Sequence, residues 1–532
     1  CVNDPIAYAG VPSEAPIIAW REPSTILATS AAVPPVEMSD RIASIKKKAR
    51  RILRIFARTM KIVAVLSPMA VLYPLWRLQQ RLLGGPSRET KEEDDSYSTL
   101  EEHNLYNDWY MSLCLYSIEA SGAAFIKLMQ WASSRPDMFG KNFCGFFEQL
   151  QDDTTPHQWR YTEEILKASY GENWEEHFQI GRLLGSGCIG QVYEGIIEGD
   201  DGKTEKVAVK VRHPRVVDDI ETDMEILRCL ADWSKFVPGH LGDQIRWLDP
   251  MGAVEGFAKI LTGQLDFRSE AINLERFNKN FADDKDVIFP ELVPGYEAHP
   301  DVLVETFCEG IPVAKWAKKN AGNQEKLSSM CKIGIRTVCK MIFDHNFIHG
   351  DLHPGNVWIS EEGKFILLDV GMVTEYDDDD HEVIIKVLTA FIRKNGREAG
   401  RLMVNDSNRR MLKDDEAALN EEAYIDKIEA LTDRANTNPE YLVEAMGAYV
   451  AYICDAAAAH HVMMNQAFLS ACLAVKVQEG IALALDPNTP IGEFVFTRIA
   501  IRNVLMAAAS QNCLETQSSW LRSRMKLCLA RW

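Results

Sequence analysis

The stretch QIGRLLGSGCIGQVYEGIIEG, beginning at Gln179, constrains the fold more than any other part of this chain. Gly185, Gly187 and Gly190 sit between apolar flanks, and Val192 completes the pattern G-x-G-x-x-G-x-V. Such glycines serve two architectures. A dinucleotide-binding turn needs a helix next and an acid about 20 residues on, whereas a kinase-type loop needs a second strand. Here QVYEGII is β-branched and alternating and ends at EGDDGK, a hairpin turn, so a strand follows and the dinucleotide reading falls.

Across that turn KVAVKVR matches V-A-I-K in pattern, with Lys210 placed 20 residues after Gly190. A lysine there lies beneath the glycine loop, where its ammonium neutralises the α and β phosphates of a nucleotide. The segment FIHGDLHPGNVWI, from Phe347, sets Asp351 and Asn356 in a D-x-x-x-x-N relation. In that relation the aspartate orients or deprotonates an attacking hydroxyl and the amide oxygen takes Mg²⁺. Thirteen residues after Asn356, the apolar run KFILL delivers Asp369, followed by Val370 in place of the usual phenylalanine and by Gly371. A carboxylate there bridges Mg²⁺ to the phosphates. Four motifs in one order imply ATP and Mg²⁺. The nucleotide-binding candidates are Gly185, Ser186, Gly187, Cys188, Ile189, Gly190, Val192 and Lys210, with Asp351 and Lys210 catalytic and Asn356 and Asp369 metal-binding. His345, His349 and His353 recur every fourth residue, but Pro354 and Gly355 break any helix that would align them on zinc.

After Gly371 an acidic turn, with Asp377 to Asp380, leads straight into a helical pattern, and no A-P-E follows. A protein kinase has an extended segment there as a platform for a peptide, so transfer to protein is disfavoured. The aspartates suit a solvated helix start. Glu305 to Phe307, after the strand VLVE, are expected at the hinge, meeting a base through backbone groups. The apolar stretch Tyr441 to Val477 is interrupted by Glu444, Asp455, His460 and His461, which predicts buried helices rather than a membrane span.

Charge and cysteine usage exclude other classes. With 58 Lys+Arg against 77 Asp+Glu, net charge −19, the surface does not suit nucleic acid. None of the 12 cysteines forms a C-x-x-C pair, and several lie in apolar runs (Cys331, Cys339, Cys454, Cys472), as small core residues in a reducing compartment do. Near the amino terminus, residues 1–40 are rich in proline and alanine and read as leader or linker. From Arg41 to Lys61 nine basic residues and no acid interleave with apolar ones, as in an organelle presequence or a helix on an anionic membrane. Ile62 to Trp76 is apolar but interrupted by Pro68 and Pro74, which predicts an interfacial or shallow anchor rather than a spanning helix. The run KEEDDSYS, Lys91 to Ser98, reads as an exposed linker.

The stretches AAFIKLMQWASSRPDMF at Ala123, GQLDFRSEAINLERF at Gly263, HGDLHPGN at His349, LLDVG at Leu367 and EGIALALDPN at Glu479 together resemble the UbiB (aarF-domain-containing, ADCK or ABC1) family of atypical kinases. The resemblance runs from about Asn104 to Pro487, with its closest likeness to a mitochondrial member of the animal set. It implies an α+β, two-lobed protein-kinase-like fold with an N-terminal helical extension over the nucleotide cleft and a mainly helical C-lobe. The family's K-x-G-Q motif is similar to Lys127 to Gln130, with Met129 in the glycine position; its E-x-D pair falls on Gln264 and Asp266, and its helix-C glutamate on Glu270. Gln264 is neutral where the family has glutamate, which removes a charged partner for Lys127. The nucleotide loop, alanine-rich in the family, is here GSGCIGQV, so backbone N–H groups can approach phosphate with no Cβ in the way. A Glu270–Lys210 ion pair is expected in the active state.

The expected organisation is residues 1–40 leader, 41–85 membrane contact, 86–176 helical extension, 177–307 N-lobe and 308–532 C-lobe with C-terminal helices. The expected activity is Mg-ATP binding and hydrolysis. What the resemblance adds is support of coenzyme Q (ubiquinone) synthesis or lipid homeostasis at the mitochondrial inner membrane or another organelle membrane, with lipid and coenzyme Q biosynthesis proteins as partners. Small-molecule or lipid phosphotransfer and an ATP-gated scaffold remain the alternatives, because aminoglycoside- and choline-kinase-like enzymes share H-G-D-L-H-x-x-N.

Overall fold

A computed structural model describes residues 38–82, 109–133, 146–147, 150, 154–198, 202–238, 250–410, 420–437, 446–464 and 485. The leader as far as residue 37, the Lys91 to Ser98 linker, Cys472 and all of EGIALALDPN except Leu485 lie outside the described residues. The chain divides into two compact units, residues 1–54 and 55–532.

The smaller lobe is a four-stranded antiparallel sheet in the order β1-β2-β3-β5. Its strands are β1 (Gln179–Ser186), β2 (Gly190–Glu198), β3 (Thr204–Arg212) and β5 (Val302–Thr306), with the short β4 (Val287–Ile288) elsewhere. The hairpin expected after the glycine loop is present, with Val192 paired to Lys210 and Gly190 to Arg212. Period-two alternation sorts the sheet's faces. Val207, Val209 and Val211 of β3, Val302 and Val304 of β5, and Tyr193 and Ile197 of β2 bury one face against Leu166, Trp174 and Phe178. The opposite face carries Val192, Ala208, Lys210, Leu303 and Glu305, as the pairings Lys210–Leu303 and Ala208–Glu305 require. Valine-rich strands therefore fix which side chains can face the cleft.

Helices in chain order are α1 (Met38–Leu82), α2 (Trp109–Ser121), α3 (Ala123–Ser133), α4 (Trp159–Tyr170), α5 (Val216–Ser234), α6 (Pro250–Gln264) and α7 (Phe267–Asn280). Asp266 caps α7 by accepting from the Arg268 amide at 3.0 Å, and Glu270 sits in the first turn of that helix. The larger lobe is mainly helical, with helices Gln324–Cys339, Asp378–Ile392, Gly396–Arg410, Glu421–Thr437 and Met446–His460. A π-helical turn at Lys340–Asp344 leads into β7 (Ile348–His349), which pairs with β10 (Val373–Thr374). The hairpin β8 (Val357–Ile359) and β9 (Phe365–Leu367) joins β4 and β6 (Ile311–Pro312) in a second sheet. This is a mixed α+β, kinase-like fold with amino-terminal helices. Asp377 accepts from the Asp380 amide at 2.7 Å and starts the helix Asp378–Ile392, so the acidic run is a helix cap. Within Met446–His460, Cys454, Ala456 and Ala457 are buried, in line with a core helix. Among the described cysteines, Cys229 is the exposed one.

The break expected at the prolines of the apolar stretch is absent. Pro68 and Pro74 lie inside α1 rather than interrupting it, and its segment Ala49–Gln79, 31 residues, is long and apolar enough to cross a membrane. Proline 68 has no N–H for the carbonyl of Ala64, and the Ser67 hydroxyl donates to that carbonyl instead, at 3.3 Å. One side of the helix, with Ile62, Leu66, Met69, Leu72 and Trp76, packs on the large core. Phe56, Met60, Val63, Val71 and Leu75 stay more than half exposed, an unpartnered apolar stripe. Arg58 fixes the docking: its guanidinium holds Asp223 of α5 through two bonds of 2.7 Å and donates to the Ser121 carbonyl at 2.6 Å.

Candidate active site

β3 and α7 bring Lys210 and Glu270 together with Nζ–Oε distances of 2.9 and 2.8 Å. The expected ion pair is formed. Asp369 Oδ1 stands 3.2 Å from the same ammonium, and the Phe267 ring centroid lies 5.4 Å from it. Burial pulls the Lys210 pKa down, but the charges of Asp369 and Glu270 outweigh it and hold the ammonium above its ordinary value. Burial pushes Glu270 up to about 7 against the pull of Lys210, with Asp369 adding to the rise. Burial also disfavours charge on Asp369, yet Lys210 and Lys127 overcome it and keep that carboxylate ionised, well below its usual range. The cluster thus holds a permanent cation beside a permanent anion at the mouth of the cleft.

Asp369 is placed by backbone geometry. Its φ is +52°, the left-handed region a non-glycine residue rarely adopts, at a cost of about 1–3 kcal/mol. The conformation is held on both sides: Leu368 N–H donates to the Asn356 carbonyl at 2.9 Å, and Asn273 of α7 donates to the Val370 carbonyl at 2.9 Å. Val370, in the phenylalanine position, is fully buried. Gly371 leaves room beside it, since a Cβ there would lie 3.2 Å from Asp369 Oδ1.

The loop after β7 presents Asp351 and Asn356. The Asn356 amide nitrogen donates to the Asp351 carbonyl at 3.0 Å, so this bond does not use the amide oxygen. His349 supports the loop, a role the sequence reading missed by weighing it only as a metal ligand. Its Nδ1 accepts from the Asp351 N–H and its Nε2 faces the Leu368 carbonyl, both at 3.2 Å, so the ring is neutral. Burial lowers its pKa, outweighing that carbonyl and the nearby carboxylates. His353 Nδ1 accepts from the Gly355 amide.

The extension enters the cleft. Lys127 on α3 lies 3.7 Å from Asp351 Oδ2, an ion pair with the loop carboxylate in place of the partner that Gln264 does not supply. Asp266 is not brought to Lys127; its carboxylate is held by the α7 cap and by Arg268. Gln264 is the last residue of α6, and Gln130 donates to the Leu150 carbonyl at 3.2 Å.

In the glycine loop, Gly185 faces open space while Gly190 is pressed on β3, where a Cβ would sit 2.6 Å from the Val211 carbonyl oxygen. Cys188 and Ile189 are buried in the large core and Ser186 is buried too, so they have only backbone groups to offer a ligand. Glu305 departs from expectation: its side chain lies on the cleft face with Ala208 and Lys210. Burial, reinforced by Glu270, pushes its carboxyl up to about 8 against the pull of Lys210.

Asp369 and Asn356, on segments joined by the bond from the Leu368 N–H to the Asn356 carbonyl, offer two hard oxygen donors, the type Mg²⁺ takes, and too few for a metal cage of protein ligands alone. Among the described residues no group of three or more His, Cys, Asp or Glu could hold a metal. A cation shared with phosphate oxygens fits this donor set.

Residues 149–403 match the model of the ABC1 atypical kinase-like domain. A mitochondrial ABC1 family protein of Saccharomyces cerevisiae is 27% identical, covering 82% of this chain and 73% of its own length. A mitochondrial ABC1 family protein of Schizosaccharomyces pombe is also 27% identical, over 85% of this chain and 72% of its own. A probable serine/threonine-protein kinase of Dictyostelium discoideum is 26% identical, over 71% of this chain and 63% of its own. A solved Mycobacterium tuberculosis protein, in complex with erythromycin, is similar at 18% identity and TM-score 0.45, over 64% of this chain and 82% of that one. The residues that match the ABC1 atypical kinase-like domain, 149–403, include the glycine loop, Lys210, the segment with Asp351 and Asn356, and Asp369 after β9.

Proposed function

We propose that this chain is an atypical kinase-fold ATPase that binds Mg-ATP at the cleft. The observation that carries the reading is the Lys210 ammonium held at 2.8 Å from Glu270 and 3.2 Å from Asp369. In this reading Lys210 and amides of the loop between Gly185 and Gly190 engage phosphate, apart from that of Gly187, which donates to the Gly190 carbonyl at 2.8 Å. Asn356 and Asp369 hold the divalent cation, which when bound neutralises charge on the transferred group. Asp351 orients the attacking oxygen, water or a substrate hydroxyl, and Lys127 of the extension pairs with that carboxylate.

Transfer to a peptide is disfavoured, since only residues 375–377 separate β10 from the helix Asp378–Ile392. A lipid or other small-molecule hydroxyl is the alternative acceptor, and an ATP-gated scaffold the alternative without turnover. The exposed stripe of α1 supports attachment to a membrane. The mitochondrial names of the yeast relatives support a mitochondrial location, and our reading places the chain at the inner membrane. Within that setting we assign the chain to the mitochondrial second member of the animal set and to support of ubiquinone synthesis or lipid homeostasis. The test is release of ADP and phosphate from Mg-ATP by the full chain, with and without anionic liposomes, beside Asp369→Asn.

A further inference from the structure

The nucleotide loop is held from outside the cleft by side chains that phosphate chemistry does not use. His213, just after β3, places Nε2 at 2.8 Å from the Gly187 carbonyl and Nδ1 at 2.6 Å from Nδ1 of His157, which lies just before α4. His157 Nε2 is 2.9 Å from the Thr162 hydroxyl, which is 2.8 Å from the Tyr193 hydroxyl. Gln191 closes the circuit, its amide nitrogen on the Tyr193 hydroxyl and its oxygen accepting from the His157 N–H at 3.0 Å.

The donors in this chain can be assigned from one end. A carbonyl only accepts, so His213 Nε2 carries the hydrogen toward Gly187. In a neutral ring Nδ1 is then bare, so His157 Nδ1 must donate across the contact. That leaves His157 Nε2 to accept from Thr162, whose oxygen accepts from Tyr193, which in turn accepts from Gln191. One hydrogen serves each contact. A proton added to His213 would set two N–H groups against each other at 2.6 Å, and one added to His157 Nε2 would meet the hydrogen that Thr162 donates.

The circuit turns carbonyls of the loop away from the ligand side. Besides His213, the Thr154 hydroxyl donates to the Gly187 carbonyl at 2.6 Å, the Thr154 N–H donates to the Ser186 carbonyl at 2.9 Å, and the His213 N–H donates to the Ile189 carbonyl at 2.8 Å. Carbonyl oxygens repel phosphate and N–H groups attract it, so fixing three carbonyls on this shell keeps the amide face for the nucleotide.

We propose that His157 and His213 are positioning residues of the nucleotide loop, clamping the Gly187 carbonyl through a directed chain in which both imidazoles are neutral and in opposite tautomers. The proposal rests on the reading of the cleft as a nucleotide site. The environment keeps the rings neutral: burial, then the His213 charge, lowers His157 to about 4, and burial lowers His213 despite the Gly187 carbonyl. The titratable groups facing the pair are Tyr161, edge-on to His157, and Tyr193, while neighbouring Arg212 is paired with Asp301.

The test uses the full chain, with MANT-ATP and Mg²⁺ as the probe. His213→Phe should weaken binding roughly fivefold, the worth of about one net hydrogen bond, while His213→Gln, which keeps a donor, stays within about twofold. His213→Phe and His157→Phe proteins that melt like wild type and bind like wild type overturn the proposal. Histidine ¹⁵N NMR of wild type at pH 7.5 reads the pair without nucleotide. His157 protonated at Nδ1 and His213 at Nε2 is expected; any other pair of states overturns the clamp. Should no protein bind nucleotide, the reading of the site fails instead, and hydrogen exchange of peptides over 183–192 still decides the clamp. Faster exchange in His213→Phe supports it, and unchanged exchange refutes it.

Discussion

Replacing Glu305 by glutamine tests the electrostatics of the cleft through stability. The carboxyl's ordinary value is 4.5 and in the fold it rises to about 8, so the folded state keeps its proton over a range where the unfolded chain has lost it. Stability from this group is therefore full below pH 4.5 and is lost as pH rises toward 8. The span of 8 − 4.5 = 3.5 units, at about 1.36 kcal/mol each, sets an upper limit of roughly 5 kcal/mol. Water reaching the partly exposed carboxyl screens the charge, so about half of that is expected. Glu305→Gln keeps the shape and removes the titration. The variant should match wild type at pH 5 and become progressively more stable than wild type up to pH 8.5, by about 2–3 kcal/mol. Melting temperatures of both proteins in matched buffers from pH 5 to 8.5 read the gap. A gap that does not change with pH would refute a neutral carboxyl beside Lys210.

Other perturbations follow from single contacts. Arg58→Ala leaves Asp223, whose side chain is 1% exposed, without its guanidinium and should cost about 3–5 kcal/mol; the apolar pair Arg58→Met with Asp223→Leu should recover most of that in thermal melts. Gly190→Ala drives a Cβ to 2.6 Å from the Val211 carbonyl and should cost about 1–3 kcal/mol, whereas Gly185→Ala, with nothing within 4 Å, should melt like wild type.

The site was legible where a residue type and a spacing both carry chemistry. Lys210, Asp351, Asn356 and Asp369 fall where their motifs put them because strand pairing and one tight turn fix their positions locally. Long-range contacts were less legible. Gln264 suggested that Lys127 had lost its partner, but pairing with Asp351 depends on how α3 packs, which no local pattern encodes. The prolines in α1 read as breaks because their local effect is unfavourable, and the Ser67 hydroxyl that relieves it is visible only in three dimensions. Glu305 was read as a hinge backbone position; alternation along VLVE, counted from the buried valines, would have put its side chain with Lys210. His157 and His213 stand 56 residues apart and match no motif, so only the fold reveals the pair.

The measurement closest to the central claim is ADP and phosphate release by the full chain with Mg-ATP, in the presence and absence of anionic liposomes, beside Asp369→Asn. Wild type should release both products, faster with liposomes, and the variant should keep the fold and release neither. Equal release by the two proteins would contradict the assignment of Asp369, and nucleotide binding without release under every lipid condition would contradict an ATPase.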